Sequence, residues 1–406
     1  MARVLEVVDR VWSGHSVKFA LAVTDERVFA GYYDAGRQLI VAARTGLGEW
    51  VRQPLDTHVG WDSHNGIAIG LDGSGRLHVA ANMHRTPLVY FMSAPGGDVR
   101  TLAPVSVMVD ADLERYMTYP AFIRDAQGRL VFHYRDGRSG NGREIWNIFD
   151  EATASWRPLI SSPMIDGQGR MNAYVRGPVL GPDGWFHLAW VWRNSSMAET
   201  NHDLSYAKSP DLVRWFRSDG AAYDLPITFD TAEIVDPVPT CGGMINNNTV
   251  IGFDGKGRVM ITYHKFDEAG CTQVFVARRE ADGWRKAVAS RWSNYRWDFS
   301  GRGAIDFEVI VSGAEPDAPG LIRVAVERGR KPTVLIVESG NLNPVEERHM
   351  PSLGEQLEGL AAIPEGMILN RADDNGMSLV WATRPKNRDA PYNDVSAPTE
   401  LNLMLK

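Results

Sequence analysis

The chain has 406 residues, 44% apolar and 23% charged, with a formal net charge of −7. That is ample material for a large core, and the mild acidic balance argues against a nucleic-acid binder, which carries a basic field. No run of about eighteen apolar residues marks a membrane helix, two cysteines make no disulfide framework, and the opening MARVLEVVDRVWSGHS lacks a secretion signal's basic-then-apolar order.

In chain order, short alternating runs read as strands: RVFAGYYD (27–34), QLIVAAR (38–44), GRLHVAANMH (75–84), PLVYFMS (87–93), GRLVFHYR (128–135), EIWNIFD (144–150), WFHLAWVWR (185–193), LSYAKS (204–209), GRVMITYHK (257–265) and TQVFVARR (272–279). Gly, Asp, Asn and Pro punctuate them, and helical periodicity is scarce. One unit recurs. LDGSGRLHVAANMH, RDAQGRLVFHYR, GPDGWFHLAWVWR and FDGKGRVMITYHK each join a tight turn to a strand that is apolar at every second place. Gly75, Gly128, Gly184 and Gly257 space the unit at roughly 50 to 70 residues, which suits four-stranded propeller blades. A second strand in each unit runs toward a turn closed by Trp156, Trp215 or Trp284, and SPDLVRW (209–215) reads as a degenerate Asp-box. The expected fold is all-β, a seven-bladed β-propeller forming one domain over residues 1–406. A pair of β-sandwiches is the alternative.

Three of the ten histidines fall in WDSHNGIAIGLDGSGRLHVAANMH (61–84). His78 lies mid-strand and reads as a half-buried packing residue. On an unbroken strand His84 and Asn82 share its face, because side chains alternate; a turn at Asn82 instead leaves His84 at a strand end. His64 opens the stretch in a polar loop. The next unit supplies Tyr119 before Pro120 and Arg135 at a strand end, where a guanidinium can lower a phenol's pKa or clamp a carboxylate. RMNAYVRG adds Tyr174 and Arg176. Ten arginines and no lysine lie between Arg115 and Arg193, which fits either Arg-rich codon usage or a site for a planar anion such as a uronate.

Together WDSHNGIAIGLDGSGRLHVAANMH, TYPAFIRDAQGRLVFHYRDGRSGNG, RMNAYVRGPVLGPDGWFHLAWVWR, TNHDLSYAKSPDLVRW and YHKFDEAGCTQVFVARR resemble the BNR-4 repeat family. Its characterised members are seven-bladed propeller polysaccharide lyases, among them ulvan lyases and lyases cutting between rhamnose and glucuronate. The resemblance covers roughly residues 10 to 305 and extends to nothing after 310. It implies a catalytic cluster of His64, His84, Tyr119, Arg135 and Tyr174. Asn65, Tyr174, Arg176 and Arg193 are the expected substrate contacts.

β-Elimination fits these residue types. Removing H5 of a uronate builds charge on its carboxylate, which a cation must neutralise. Arg135 is expected in that role, with Asn65 and His84 as supporting donors. His64 and Tyr119 divide the base at C5 and the acid at the departing O4, with His64 as base the working assignment. No catalytic cofactor is expected. Cys241, His264, Cys271 and His202 form a candidate structural zinc set, which the resemblance also allows, against the reading of two ordinary buried thiols. A rhamnosidase-like hydrolase is an alternative, although hydrolysis uses a carboxyl pair that the motifs do not display; a non-catalytic carbohydrate-binding propeller is another. The expected partner is an acidic rhamnose- and uronate-containing saccharide, with no nucleic acid and no membrane, bound by a monomer. As written the chain is expected in the cytoplasm, and outside it if a leader was removed.

Overall fold

The repeated turns are built the same way wherever Asp leads them. In the computed structural model, which describes residues 5–357 and 362–405, Gly75, Gly128 and Gly257 each donate their N–H to the carbonyl of the aspartate three residues earlier. Each glycine has φ between 75 and 78°, the left-handed region that only glycine adopts at little cost. The carboxylates of Asp72, Asp125 and Asp254 then accept from the backbone N–H and guanidinium of Arg76, Arg129 and Arg258. In the fourth copy Gly181 stands where the others have Asp, and Gly184 closes the turn alone. In SPDLVRW, Ser209 Oγ accepts from the N–H groups of Asp211 and Leu212, Asp211 caps Val213 and Arg214, and Trp215 is fully buried.

Among the described residues the strands form seven separate antiparallel sheets. The first takes Ala20–Val23, Arg27–Tyr33, Gln38–Thr45 and Val51–His58 in that spatial order. The second takes Ile67–Leu71, Leu77–Ala81, Tyr90–Met92 and Ala103–Pro104. The third is built on Met117–Arg124, Leu130–Arg138, Asn141–Asp150 and Ser155–Pro158, the fourth on Asn172–Leu180, Phe186–Arg193, Asn201–Ser209 and Glu233–Asp236. The fifth holds Val250–Phe253, Val259–Phe266, Thr272–Glu280 and Gly283–Val288, and the sixth Val309–Val311, Leu321–Arg328, Lys331–Glu338 and Pro344–His349. The seventh orders Ile368–Asp374, Met377–Thr383 and Thr399–Met404, then adds Leu5–Val11 from the other end of the chain. Neighbouring sheets meet through their first strands: Ala20–Val23 lies against both Ile67–Leu71 and Ile368–Asp374, and Asn172–Leu180 against Val250–Phe253. Apolar clusters fill the spaces between successive sheets, with Phe19 stacked on Trp381 and Trp146 edge-on to Trp215. No helix among the described residues is long and apolar enough to cross a membrane.

Of the two readings of the run 75–84, the turn at Asn82 holds. The run 75–84 is not one strand. It ends at Ala81, Asn82 takes φ 58°, and His84–Thr86 crosses to pair with the third sheet. Asn82 donates to Thr57 Oγ1 and the His58 carbonyl, and these distant partners hold the break. His84 therefore does not share a face with His78. His78 is fully buried, its Nδ1 2.6 Å from Tyr90 Oη, and His187 repeats that contact with Tyr206.

Candidate active site

The site lies where loops and first strands from several sheets converge. Asp62, Ser63 and His64 sit in the loop entering the second sheet. One Asp62 oxygen is 2.6 Å from His64 Nδ1, and the other binds His84 Nδ1. The two imidazoles stack with centroids 4.0 Å apart. Burial pushes the Asp62 pKa up, but the hydrogen bonds and charges of the two histidines outweigh it and hold the carboxyl below the usual range. An ionised carboxylate only accepts, so each Nδ1 carries its hydrogen, and Nε2 is the nitrogen that holds the lone pair whenever the ring is neutral. Burial lowers the His84 pKa, with Asp62 opposing it. Asp389, from the far end of the chain, accepts from the N–H groups of Ser63 and Ala304 and lies 3.8 Å from His64 Nδ1.

Tyr119 reaches this loop from the third sheet. The pairing of Met117–Arg124 with Leu130–Arg138 slips between Thr118 and Ala121, and Tyr119 takes φ 58°. A bulge of this kind re-aims a side chain, and strain in a non-glycine residue often marks a functional position. The phenol ring lies 5.8 Å from His64 and 5.9 Å from Tyr174. Burial raises the Tyr119 pKa and Tyr174 adds to this, while Arg135, Asn247 and Arg193 pull it back only in part. The phenol is therefore protonated at neutral pH.

Arg135 departs from its expected place. It is 1% exposed and lies beneath the rings, its Cζ 5.0 Å from the Tyr119 centroid and 5.7 Å from that of Tyr174. Its guanidinium donates to Thr118 Oγ1 at 2.9 Å and to Tyr174 Oη at 3.4 Å. It lines neither cavity of the site, so in this arrangement it acts on the tyrosines and does not clamp a carboxylate. Leu130–Arg138 is buried along most of its length on both faces, so alternation could not place this guanidinium. Asn65 is also outside both cavities; its carbonyl accepts from Tyr33 Oη. Arg193 is the cation that borders both cavities, held by Asn246 Oδ1 and the Ser196 carbonyl, with its Cζ 5.6 Å from the Tyr174 centroid.

Two cavities meet here. One, about 480 Å³, runs inward past Tyr119 and Arg176; the other, about 560 Å³, opens past His84, Arg138 and Asn194. His64, Tyr174, Arg193 and Gly303 border both. Of the expected site residues, His64, His84, Tyr119, Tyr174, Arg176 and Arg193 therefore line one connected space. Asp389, which lines the outer cavity, and Asp62, which holds the two histidines from behind, were not expected at the site. Asp62 was visible only as part of the histidine motif, and no local pattern marks Asp389.

The four suggested zinc ligands do not converge. Among the described residues, the one group of three His, Cys, Asp or Glu donors within 4.8 Å of one another is Asp62, His64 and His84. His202 is engaged by Asp203 and Asn194. Cys241 is exposed and Cys271 half-buried, so neither is an ordinary buried thiol. His264 is fully buried, and burial takes its pKa down to about 4.

A family model described as "BNR repeat-containing family member" matches residues 27–292. No curated protein matches the chain in sequence. Among solved structures, polysaccharide lyase Uly1 superposes with a TM-score of 0.65 at 14% identity, over 96% of this chain and 90% of that one. A PL25 ulvan lyase bound to -[GlcA(1-4)Rha3S]- gives 0.64 at 12% identity, over 98% and 95%. At these identities the likeness is one of fold: the chain is all-β and shares the architecture of polysaccharide lyases.

Proposed function

This chain belongs to the BNR repeat-containing family, and from that premise we propose that it is a lyase that cleaves the bond to a uronic acid in a rhamnose- and glucuronate-containing saccharide by β-elimination. We read its seven sheets as seven blades of one propeller domain, closed by the pairing of Leu5–Val11 with Thr399–Met404. The observation that carries the proposal is the shared Asp62 carboxylate, which engages Nδ1 of both histidines and leaves Nε2 of each for chemistry, beside a phenol at the junction of two cavities.

His64 takes H5 on Nε2, and Asp62 steadies the imidazolium that results. Tyr119 gives its proton to the departing O4, a role suited to a phenol whose pKa burial has raised. Charge growing on the uronate carboxylate meets Arg193, which borders both cavities. Arg135 steadies Tyr119 and Tyr174 from beneath. Hydrolysis fits less well. Asp62 is held below the usual carboxylate range and Asp389 is occupied as an acceptor, so neither is presented as a general acid.

His64→Ala and Tyr119→Phe test the assignment. Each is expected to abolish the ultraviolet absorbance of the unsaturated uronate while leaving the thermal midpoint near wild type. Full activity in both variants would overturn it.

A further inference from the structure

Two residues of the inner cavity have no part in the elimination. His133 and Glu144 line it, on neighbouring strands of the third sheet, Leu130–Arg138 and Asn141–Asp150. His133 lies opposite Trp146 in the ladder, two residues from Glu144, so the two side chains are diagonal neighbours on one face. They are 5% and 3% exposed. His133 Nδ1 is 3.7 Å from Glu144 Oε2, too far for a hydrogen bond, and neither ring nitrogen nor that oxygen has a hydrogen-bond partner. Among the described residues, these are the buried side chains with unpartnered polar atoms that also border the cavities of the site. The cavity's cations are served elsewhere. Lys18 and Arg176 are exposed, Arg193 is held by Asn246 and Ser196, and Asp306 and Asp389 act on Lys386. Arg135, opposite Glu144 in the ladder, turns to Thr118 and Tyr174. Among the described residues His133 is the one basic group within 4 Å of the Glu144 carboxyl.

The bulge explains how the cavity reaches this pair. The pairing slip between Thr118 and Ala121 takes Tyr119 out of the ladder, and Ala121, the partner of His133, puts only a methyl on that face. The cavity passes Tyr119, Pro120 and Ala121 to reach the second and third strands. The acid at Tyr119 and this pair therefore lie along one path, which suits the sugar that leaves with O4. Buried polar groups without partners are costly, and a ligand that satisfies them removes the cost. A hydroxyl both donates and accepts, so it serves a carboxyl and an imidazole whichever of them holds the proton. A sulfate only accepts, and in this place it sets oxygen against oxygen at Glu144. We infer that His133 and Glu144 bind two adjacent free hydroxyls of the neutral sugar that departs with O4, and so select a saccharide that is unsubstituted there. The place of that sugar beside the reaction rests on the proposed lyase reading; the diol site itself does not.

The direct probe is methyl α-L-rhamnoside, titrated into the full chain while the ring signals of isotope-labelled histidine are followed by NMR. The His133 signal is identified by its loss in His133→Phe, a substitution that keeps the ring stacked on Trp146. The wild type is expected to bind the rhamnoside with a shift of that signal. The 3-deoxy and 3-O-methyl analogues, which break the run of adjacent hydroxyls, are expected to bind about tenfold more weakly or worse. These deletions are made on the ligand, so the comparison holds whether or not a variant folds. No shift at His133, or equal affinity for all three ligands, overturns the site and leaves the pair serving an internal water only. A second arm uses Tyr119→Phe with glucuronate–rhamnose tetrasaccharides whose rhamnose is free or sulfated at O3. The free form is expected to bind about tenfold more tightly, and adding Glu144→Gln to remove most of that preference. Equal or tighter binding of the sulfated form overturns the selection. Failure of the lyase reading shows separately, as absence of unsaturated product from the wild type, and leaves the rhamnoside titration standing.

Discussion

Asp62 is the residue on which the site turns, because one carboxylate fixes two imidazoles. Asn in its place offers a single acceptor and an amide donor, so one histidine must turn a lone pair toward it and lose the working tautomer. Asp62→Asn is expected to lower kcat on the order of 100-fold or more with little change in KM; steady-state kinetics check this, and an unchanged kcat contradicts it. Tyr119 makes a prediction of opposite character. Its pKa is raised, so the acid stays protonated as pH climbs past the ordinary tyrosine value of about 10. The pH–rate profile should show no falling alkaline limb below that point. A falling limb near pH 8 in the wild-type profile would contradict the assignment. His64, His84, Tyr119 and Tyr174 could be grouped from the sequence because each sits in a distinctive short pattern, and all four border one connected space. Whether a guanidinium lies at the surface of a site or beneath it depends on packing from other strands, and for that reason Arg135 was misplaced.

Turns carry the same logic at the scale of an element. Gly128 has φ 78° with nothing within 4 Å of a built Cβ, so Gly128→Ala should cost only the left-handed conformation, about 1–2 kcal/mol. Gly252 is different. A Cβ there runs into the Ala314 carbonyl, between the fifth and sixth sheets, and Gly252→Ala is expected to lower the melting temperature far more. Equal losses from the two substitutions would contradict this packing. The Asp–Arg turns also predict acid sensitivity. Hydrogen bonds at Asp72 and Asp254 overcome burial and hold both carboxyls below their ordinary values. Their contribution is complete above the unfolded-state pKa of about 3.9 and is lost as pH falls through the lower folded values. Melting curves should therefore fall steeply below about pH 4, less so for Asp72→Asn, if that account holds. These turns were legible because aspartate, glycine and arginine interact within five consecutive residues. The turn at Asn82 stood in the sequence only as one of two alternatives, because Thr57 and His58 impose it from another sheet.

Across the whole molecule the ends of the chain matter most. Leu5–Val11 completes the seventh sheet, and Val8 and Val11 on it are fully buried. Their burial alone contributes about 3–6 kcal/mol, so deleting residues 1–11 should lower the melting temperature and abolish activity together. Loss of activity is expected because the seventh sheet leads into the segment that carries Asp389 to the His64 loop. A truncated chain with wild-type stability would contradict the closure. The second to fifth sheets were readable from the repeated turn–strand unit, and the resemblance carried the reading to about residue 305. The last two sheets lack that unit, and Lys386 and Asp389 enter the site only through contacts that span most of the chain. The measurement that bears most directly on the proposed chemistry is mass analysis of products from a defined glucuronate–rhamnose tetrasaccharide. Elimination predicts product masses that sum to the substrate, with the unsaturated ring at the new non-reducing end; products heavier by one water, with no unsaturated ring, would contradict it.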